Sequence, residues 1–238
     1  MKNTENWKER IIPPLERHRK AIRIVWWIVV LAGSFLLGFL FGMFDVRGPA
    51  RILPQVIWLS LLAVSGIAVN LLWGWQMAKA VDGLSPLLME DPDRYMEGIH
   101  ILLDGKKGRT AVAIRLINLS AACTRKQDYA AARDYLEQLD PKKVPRPNRY
   151  IYWMDLALNL FFLGESEKAL AIMDEQRALF DANRNGPTGT LISLLDIFEA
   201  LFRDGKEAAL ARLSEVKARE PDPKYQAYLE EVEKAIAK

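Results

Sequence analysis

Residues 104–110, Asp-Gly-Lys-Lys-Gly-Arg-Thr, bring two glycines, three cations and a threonine together, the ingredients of a loop that cradles phosphate. The order is wrong for that chemistry. A phosphate loop needs G-x-x-x-x-G-K-[ST] between a strand and a helix, so that consecutive backbone N–H groups converge on one anion, and no strand precedes this stretch. The expectation is a basic turn between helices, and residues 185–190, Asn-Gly-Pro-Thr-Gly-Thr, read as a second connector. Metal chemistry fares no better: one cysteine, Cys123, and two distant histidines, His18 and His100, are too few for a Cys/His zinc site. Carboxylates are plentiful, but none combines with His or Cys at the spacing of a general acid–base or nucleophilic site. The sequence therefore predicts no catalytic residue, no cofactor and no metal, and the chain is read as something other than an enzyme. A single cysteine also excludes an intramolecular disulfide and fits a reducing compartment.

The elements that position any working surface begin with two apolar runs. Ile24 to Phe44 is 21 residues without a charge, and Ile52 to Ala78 is 27 more. At about 1.5 Å rise per residue, each helix would exceed the roughly 30 Å hydrocarbon layer of a bilayer. The expectation is a two-helix transmembrane hairpin, 24–44 and 52–78, reversed through residues 45–51, where Gly48-Pro49 supplies turn chemistry. The first run is too long for the apolar core of a signal peptide, and a second span follows at once.

Charge gives the orientation. Residues 1–23 hold seven Lys/Arg against three Glu, whereas residues 79–238 hold 24 basic and 26 acidic side chains. The basic excess belongs to the N-terminal tail, which argues against a nucleic-acid surface on the rest of the chain. Basic residues flanking both outer ends of the hairpin place both termini in the cytoplasm, and the expected home is a bacterial cytoplasmic membrane. Trp26, Trp27, Trp73 and Trp75 fit one interfacial belt on that side. The tail itself is either a lipid-surface segment or a topology signal alone. Ser34, Gly38 and Gly42 recur every four residues, as do Gly66, Asn70 and Gly74. Such small-residue faces are candidate packing surfaces between membrane helices, and homo-oligomers could form through them.

After a joint at 79–91, Asp91 and Pro92 open a helical domain running from 92 to 238. Periodicity and breakers predict helices near 92–103, 110–124, 128–139, 148–163, 166–182, 190–203, 206–219 and 223–237. No segment shows sustained strand alternation, so the fold class is all-α.

Three stretches of this domain echo one another. Trp153-x2-Leu156-Ala157-x2-Leu160, then Gly164, then Ala169-x3-Met173 resembles the tetratricopeptide repeat. Leu116-x2-Leu119-Ser120-x2-Cys123, Tyr129 and Ala132-x3-Leu136 form a second unit, and Ser193, Ile197, Ala200 and Ala209-x3-Leu213 a weaker third. The alanines at 132, 169 and 209 lie 37 and 40 residues apart, longer than the family's usual spacing of about 34. The resemblance implies a solenoid of antiparallel helix pairs over roughly 110–219, with the last helix as a solubilising cap and Cys123 as a core residue.

It also implies a binding groove lined by the first helix of each pair. The candidates are Asn118, Ala121, Arg125, Met154, Leu158, Phe161, Phe162, Phe198 and Phe202. So apolar a groove suits a hydrophobic or amphipathic helix from a protein or peptide partner. The reading is a membrane-anchored adaptor or scaffold at the cytoplasmic face. The alternative is a structural subunit of a larger integral membrane complex that uses the spans as its main interface.

Overall fold

The computed structural model of the chain describes residues 2–237, and every regular element among them is helical. The chain divides into two compact units, Met1–Leu84 and Ser85–Lys238.

In the first unit, α1 (Lys2–Ile11) stops ahead of Pro13, and α2 (Pro14–Arg17) is a single turn. Two long helices follow, α3 (Arg19–Met43) and α4 (Ile52–Asp82). Both are long and apolar enough to cross a membrane. Neither buries a single side chain, and residues as large as Phe35 and Leu71 stand 77% and 69% exposed. The reversal between them uses left-handed backbone at Asp45 and Gly48, then a 3-10 turn, Gly48–Arg51. Gly48, at φ 63°, takes this conformation without the steric cost a side chain would add. Arg47 donates to Asp45 at 2.6 Å and Arg51 to the Val46 carbonyl, closing the turn.

The two long helices meet through a residue that the small-residue spacing does not single out. The Trp58 indole lies where a Cβ on Gly33 would stand, and its Nε1 donates to Ser34 Oγ at 3.2 Å. Of the six candidate packing residues, Ser34 joins this contact. Gly38, Gly42, Gly66 and Gly74 have no neighbour within van der Waals reach of a Cβ, and Asn70 bonds the Gly66 carbonyl of its own helix. Close backbone approach needs small residues opposite one another, and the Trp58 wedge holds these stripes apart.

Residues 79–91 hold the boundary between the two units and are mostly helical: α4 continues to Asp82, and only Gly83 and Leu84 separate it from α5 (Ser85–Glu90). Lys79 and Ala80 are compatible with helix, so the end of the apolar run is not the end of the helix.

The second unit continues with α6 (Pro92–Leu103), α7 (Arg109–Arg125), α8 (Tyr129–Glu137), α9 (Arg149–Phe162), α10 (Ser166–Asn183), α11 (Gly189–Arg203), α12 (Lys206–Arg219) and α13 (Pro223–Ala237). Asp91 and Asp128 cap α6 and α8 by accepting from Arg94 and Ala131 N–H groups. The corners after α7 and α9 are built alike. Gln127 (φ 62°) and Gly164 (φ 78°) turn left-handed, and the next N–H returns to a carbonyl five residues back, each at 2.9 Å. This satisfies carbonyls orphaned by the helix end.

Helices α7 and α8, α9 and α10, and α11 and α12 pack as pairs, with Ala132, Ala169 and Ala209 each fully buried at the contact. A methyl group there lets the helices approach; the leucines and methionines beside it, such as Leu136, Met173 and Leu213, fill the remaining space. First helices also pack on one another: Thr124 of α7 donates to Asn159 of α9 at 2.8 Å, a fully buried polar link. One continuous core runs from Ala113 to Ile236.

Candidate functional site

Helix α13 decides what the row of first helices can do. It packs on α11 and α12 and also reaches back to the corner after α7. Glu231 accepts from Gln127 at 2.8 Å and from the Tyr129 hydroxyl at 3.2 Å. Tyr228 lies under the Arg125 guanidinium, 5.6 Å from its ring centre, and Tyr225 donates to the Pro187 carbonyl at 2.8 Å. Tyr225, Tyr228, Leu229, Val232 and Ile236 are all buried in the common core. The helix expected to shield only the end of the array thus also covers part of the face expected to be open.

The candidate groove residues separate accordingly. Met154, Leu158, Phe161 and Phe198 are buried and belong to the core rather than to a groove. The reason is geometric: α9 and α11 each have neighbours on several sides, so an apolar side chain pointing toward the other first helices is covered. Asn118 is committed to α6, taking a hydrogen bond from Tyr95 and donating to the Ile114 carbonyl at 2.7 Å. Ala121 is half-buried, and Arg125, expected to be exposed, is half-covered by Tyr228.

What stays accessible is one end of the expected groove. A cleft of about 330 Å³ opens where the ends of α9 and α11 face the corner after α7 and the last turns of α13. Its wall is aromatic. Tyr129 stacks on Phe162 at 4.4 Å, Phe161 on Phe198 at 4.9 Å and on Phe202 at 5.7 Å, and Phe162 meets Phe198 edge-on at 5.2 Å. Phe202 is 46% exposed, the most accessible of the described phenylalanines in this unit. Glu231 and Lys234 supply a polar rim. Four of the nine sequence candidates, Phe161, Phe162, Phe198 and Phe202, therefore converge here, two as floor and two as lining. Tyr129, Gln127, Glu231 and Lys234 were missed because their roles depend on where α13 lands, and no local spacing encodes that.

The electrostatics are those of a structural surface. Burial pushes the Tyr129 hydroxyl well above its ordinary range, with the Glu231 carboxylate adding to the effect, so it stays protonated and donates. Burial also raises the Cys123 thiol, which removes the thiolate that reactive cysteines need. The Arg177 guanidinium holds the Glu199 carboxyl below the usual carboxylate range through a 2.5 Å contact between α10 and α11. Asp155 stands apart. It lies on α9 near Tyr228, joins no ion pair among the described residues, and is pushed up to about 7 by burial. Among the described residues, no three His, Cys, Asp or Glu side chains converge where a metal ion could sit.

The sequence matches no protein-family model, and no curated protein or solved structure matches it either.

Proposed function

We propose that the chain is a membrane-anchored adaptor, in which a tetratricopeptide-like array of helix pairs holds a protein partner at the cytoplasmic face. The observation that carries the reading is the pairing of two very different surfaces. The helices α3 and α4 leave their large apolar side chains uncovered along their whole length, which an aqueous protein does not sustain and a bilayer would satisfy. The unit from Ser85 onward instead buries most of its large apolar residues and presents an aromatic cleft with a charged rim. A cleft of this size anchors one or two aromatic or aliphatic side chains of an amphipathic segment, not a helix laid along the whole array.

Two measurements test it. Under the proposed topology, in a Cys123→Ser background, a membrane-impermeant maleimide added outside cells should label a cysteine at Gly48 and leave cysteines at Asn3 and Lys238 unlabelled. The reverse pattern would place the array on the other side of the membrane. A photocrosslinking amino acid at Phe202, but not at exposed Glu175 on α10, should then yield one discrete partner adduct in living cells. Adducts from Gly38 instead of Phe202 would favour the second reading, a subunit of a larger membrane complex. That reading draws on the open space beside Gly38 and Gly42, where another helix could seat.

A further inference from the structure

Between α2, the first two turns of α3 and the middle of α4 (Gly66 to Trp73) lies a cavity of about 320 Å³ whose make-up matches neither a helix contact nor a protein-binding cleft. Its polar walls come from Arg19, Arg23 and Asn70; Trp26 and Trp73 complete it, and Ile22 and Val69 add apolar surface. The Arg19 guanidinium carbon lies over the Trp73 ring, 3.8 Å from its centre, which fixes the cation against the cavity wall. Glu16 approaches Arg19 at 3.8 Å, too far for a hydrogen bond, and Arg23 forms no ion pair among the described residues. Two donors, Arg19 Nε and Trp26 Nε1, are shielded from solvent without a hydrogen-bond partner. A shielded N–H without an acceptor forfeits its hydration with nothing in return, so a structure that keeps two of them beside a cavity invites an acceptor.

We propose that this cavity binds the headgroup phosphate of an anionic glycerophospholipid from the cytoplasmic leaflet. The proposal rests on the membrane reading above, which sets the height of the site: the 24–44 apolar run begins directly after Arg23. The α3 wall, with Arg19 and Arg23, then lies at headgroup level, and the α4 wall, Gly66 to Trp73, lies within the 52–78 apolar run beside the acyl chains. Charge complementarity selects the class. Two arginines and two orphan donors suit a phosphate oxygen set; no carboxylate is among the lining residues, and Glu16, 3.8 Å from Arg19, stands outside them. A zwitterionic lipid would place its ammonium group against two guanidinium groups.

Native mass spectrometry of the full chain released from micelles tests this, with phosphatidylglycerol and phosphatidylcholine offered in equal amounts. The wild type should retain phosphatidylglycerol about tenfold over phosphatidylcholine. Arg19→Gln with Arg23→Gln should abolish that preference, and Trp26→Phe, which removes the N–H donor, should reduce it. Lys20→Gln, an exposed change of equal charge outside the cavity, should leave it intact, as should Arg23→Lys in part. Equal retention of the two lipids, or an equal loss from Lys20→Gln and Arg23→Gln, would overturn the site. Displacement of the lipid by millimolar glycerol phosphate would assign the cavity to a soluble phosphate instead and overturn the lipid assignment. Carbonate extraction of cells separates the underlying reading. Release of the wild-type chain would defeat the membrane anchor and the lipid site together, whereas retention with no lipid preference would defeat the site alone.

Discussion

Phe198→Ala is expected to destabilise the Ser85–Lys238 unit by about 3–5 kcal/mol, the cost of emptying a well-packed aromatic site in a core. The side chain is 2% exposed, stacks on Phe161 and meets Phe162 edge-on, so its removal strips contacts from both neighbours and leaves a hole between α9 and α11. Phe202→Ala, one turn further along α11, should cost about 1 kcal/mol or less, because its ring is largely in solvent and leans on Phe161 alone. For a unit of this size the larger loss corresponds to a fall in Tm of roughly 10 °C or more. Thermal melts of residues 85–238 carrying each substitution decide the matter. The pair also separates stability from binding. Partner crosslinking should fail for Phe202→Ala while its melting barely moves. Two mild, similar melting changes would mean that Phe198 lines an open groove, and the assignment of α9 and α11 faces to the core would fall.

The helices themselves were legible because their signals are local. Asp91, Gly105, Gly164 and the proline pair around Asp222 each act within a turn of chain, and the predicted bounds fall within one or two residues of those observed. The alanines at 132, 169 and 209 were legible too, since a small residue repeated amid leucines has few uses other than letting helices touch. The choice between groove and core was not legible. Met154 and Leu158 look the same in sequence whether their face meets solvent, a partner or a neighbouring helix; only the packing of α7, α8, α10 and α11 around α9 settles it. The contact between α3 and α4 was missed for a related reason. Spacing singles out Gly38 and Gly42, but a lone Gly33 becomes meaningful only once Trp58 is seen opposite it.

Asp155 gives the sharpest pH dependence expected of the chain. Its carboxyl is pushed up to about 7 in the folded state by burial, against an ordinary unfolded value of about 3.9. Below pH 4 both states hold the proton, and Asp155 contributes no pH dependence. Between about pH 4 and 7 the folded state keeps a proton that the unfolded state has released, so stability falls as pH rises, and above 7 the penalty is constant. A shift of this size corresponds to at most about 4 kcal/mol, and the partial exposure of the side chain brings the expectation to about 2 kcal/mol. Asp155→Asn keeps the shape and removes the charge, so it should stabilise the unit by about that amount at pH 8, raising Tm by roughly 4–8 °C, and change little at pH 4. Glu199 and Asp174 act in the opposite sense: their arginine partners depress both carboxyls, and that stability is lost as pH falls. The informative quantity is therefore the difference between variant and wild type at each pH, in which these background groups cancel. Parallel Tm curves for the two proteins from pH 4 to 8.5 would show that Asp155 titrates like a solvated carboxylate. The groups that face it make the outcome matter beyond stability. Tyr228 of α13 shares its surroundings, and burial followed by the Asp155 charge pushes that phenol up to about 12. An ionised Asp155 thus sits beside a buried hydroxyl of the helix that covers the first helices. The charge state of Asp155 thus bears on the seat of α13, whose last turns line the aromatic cleft beside Phe202.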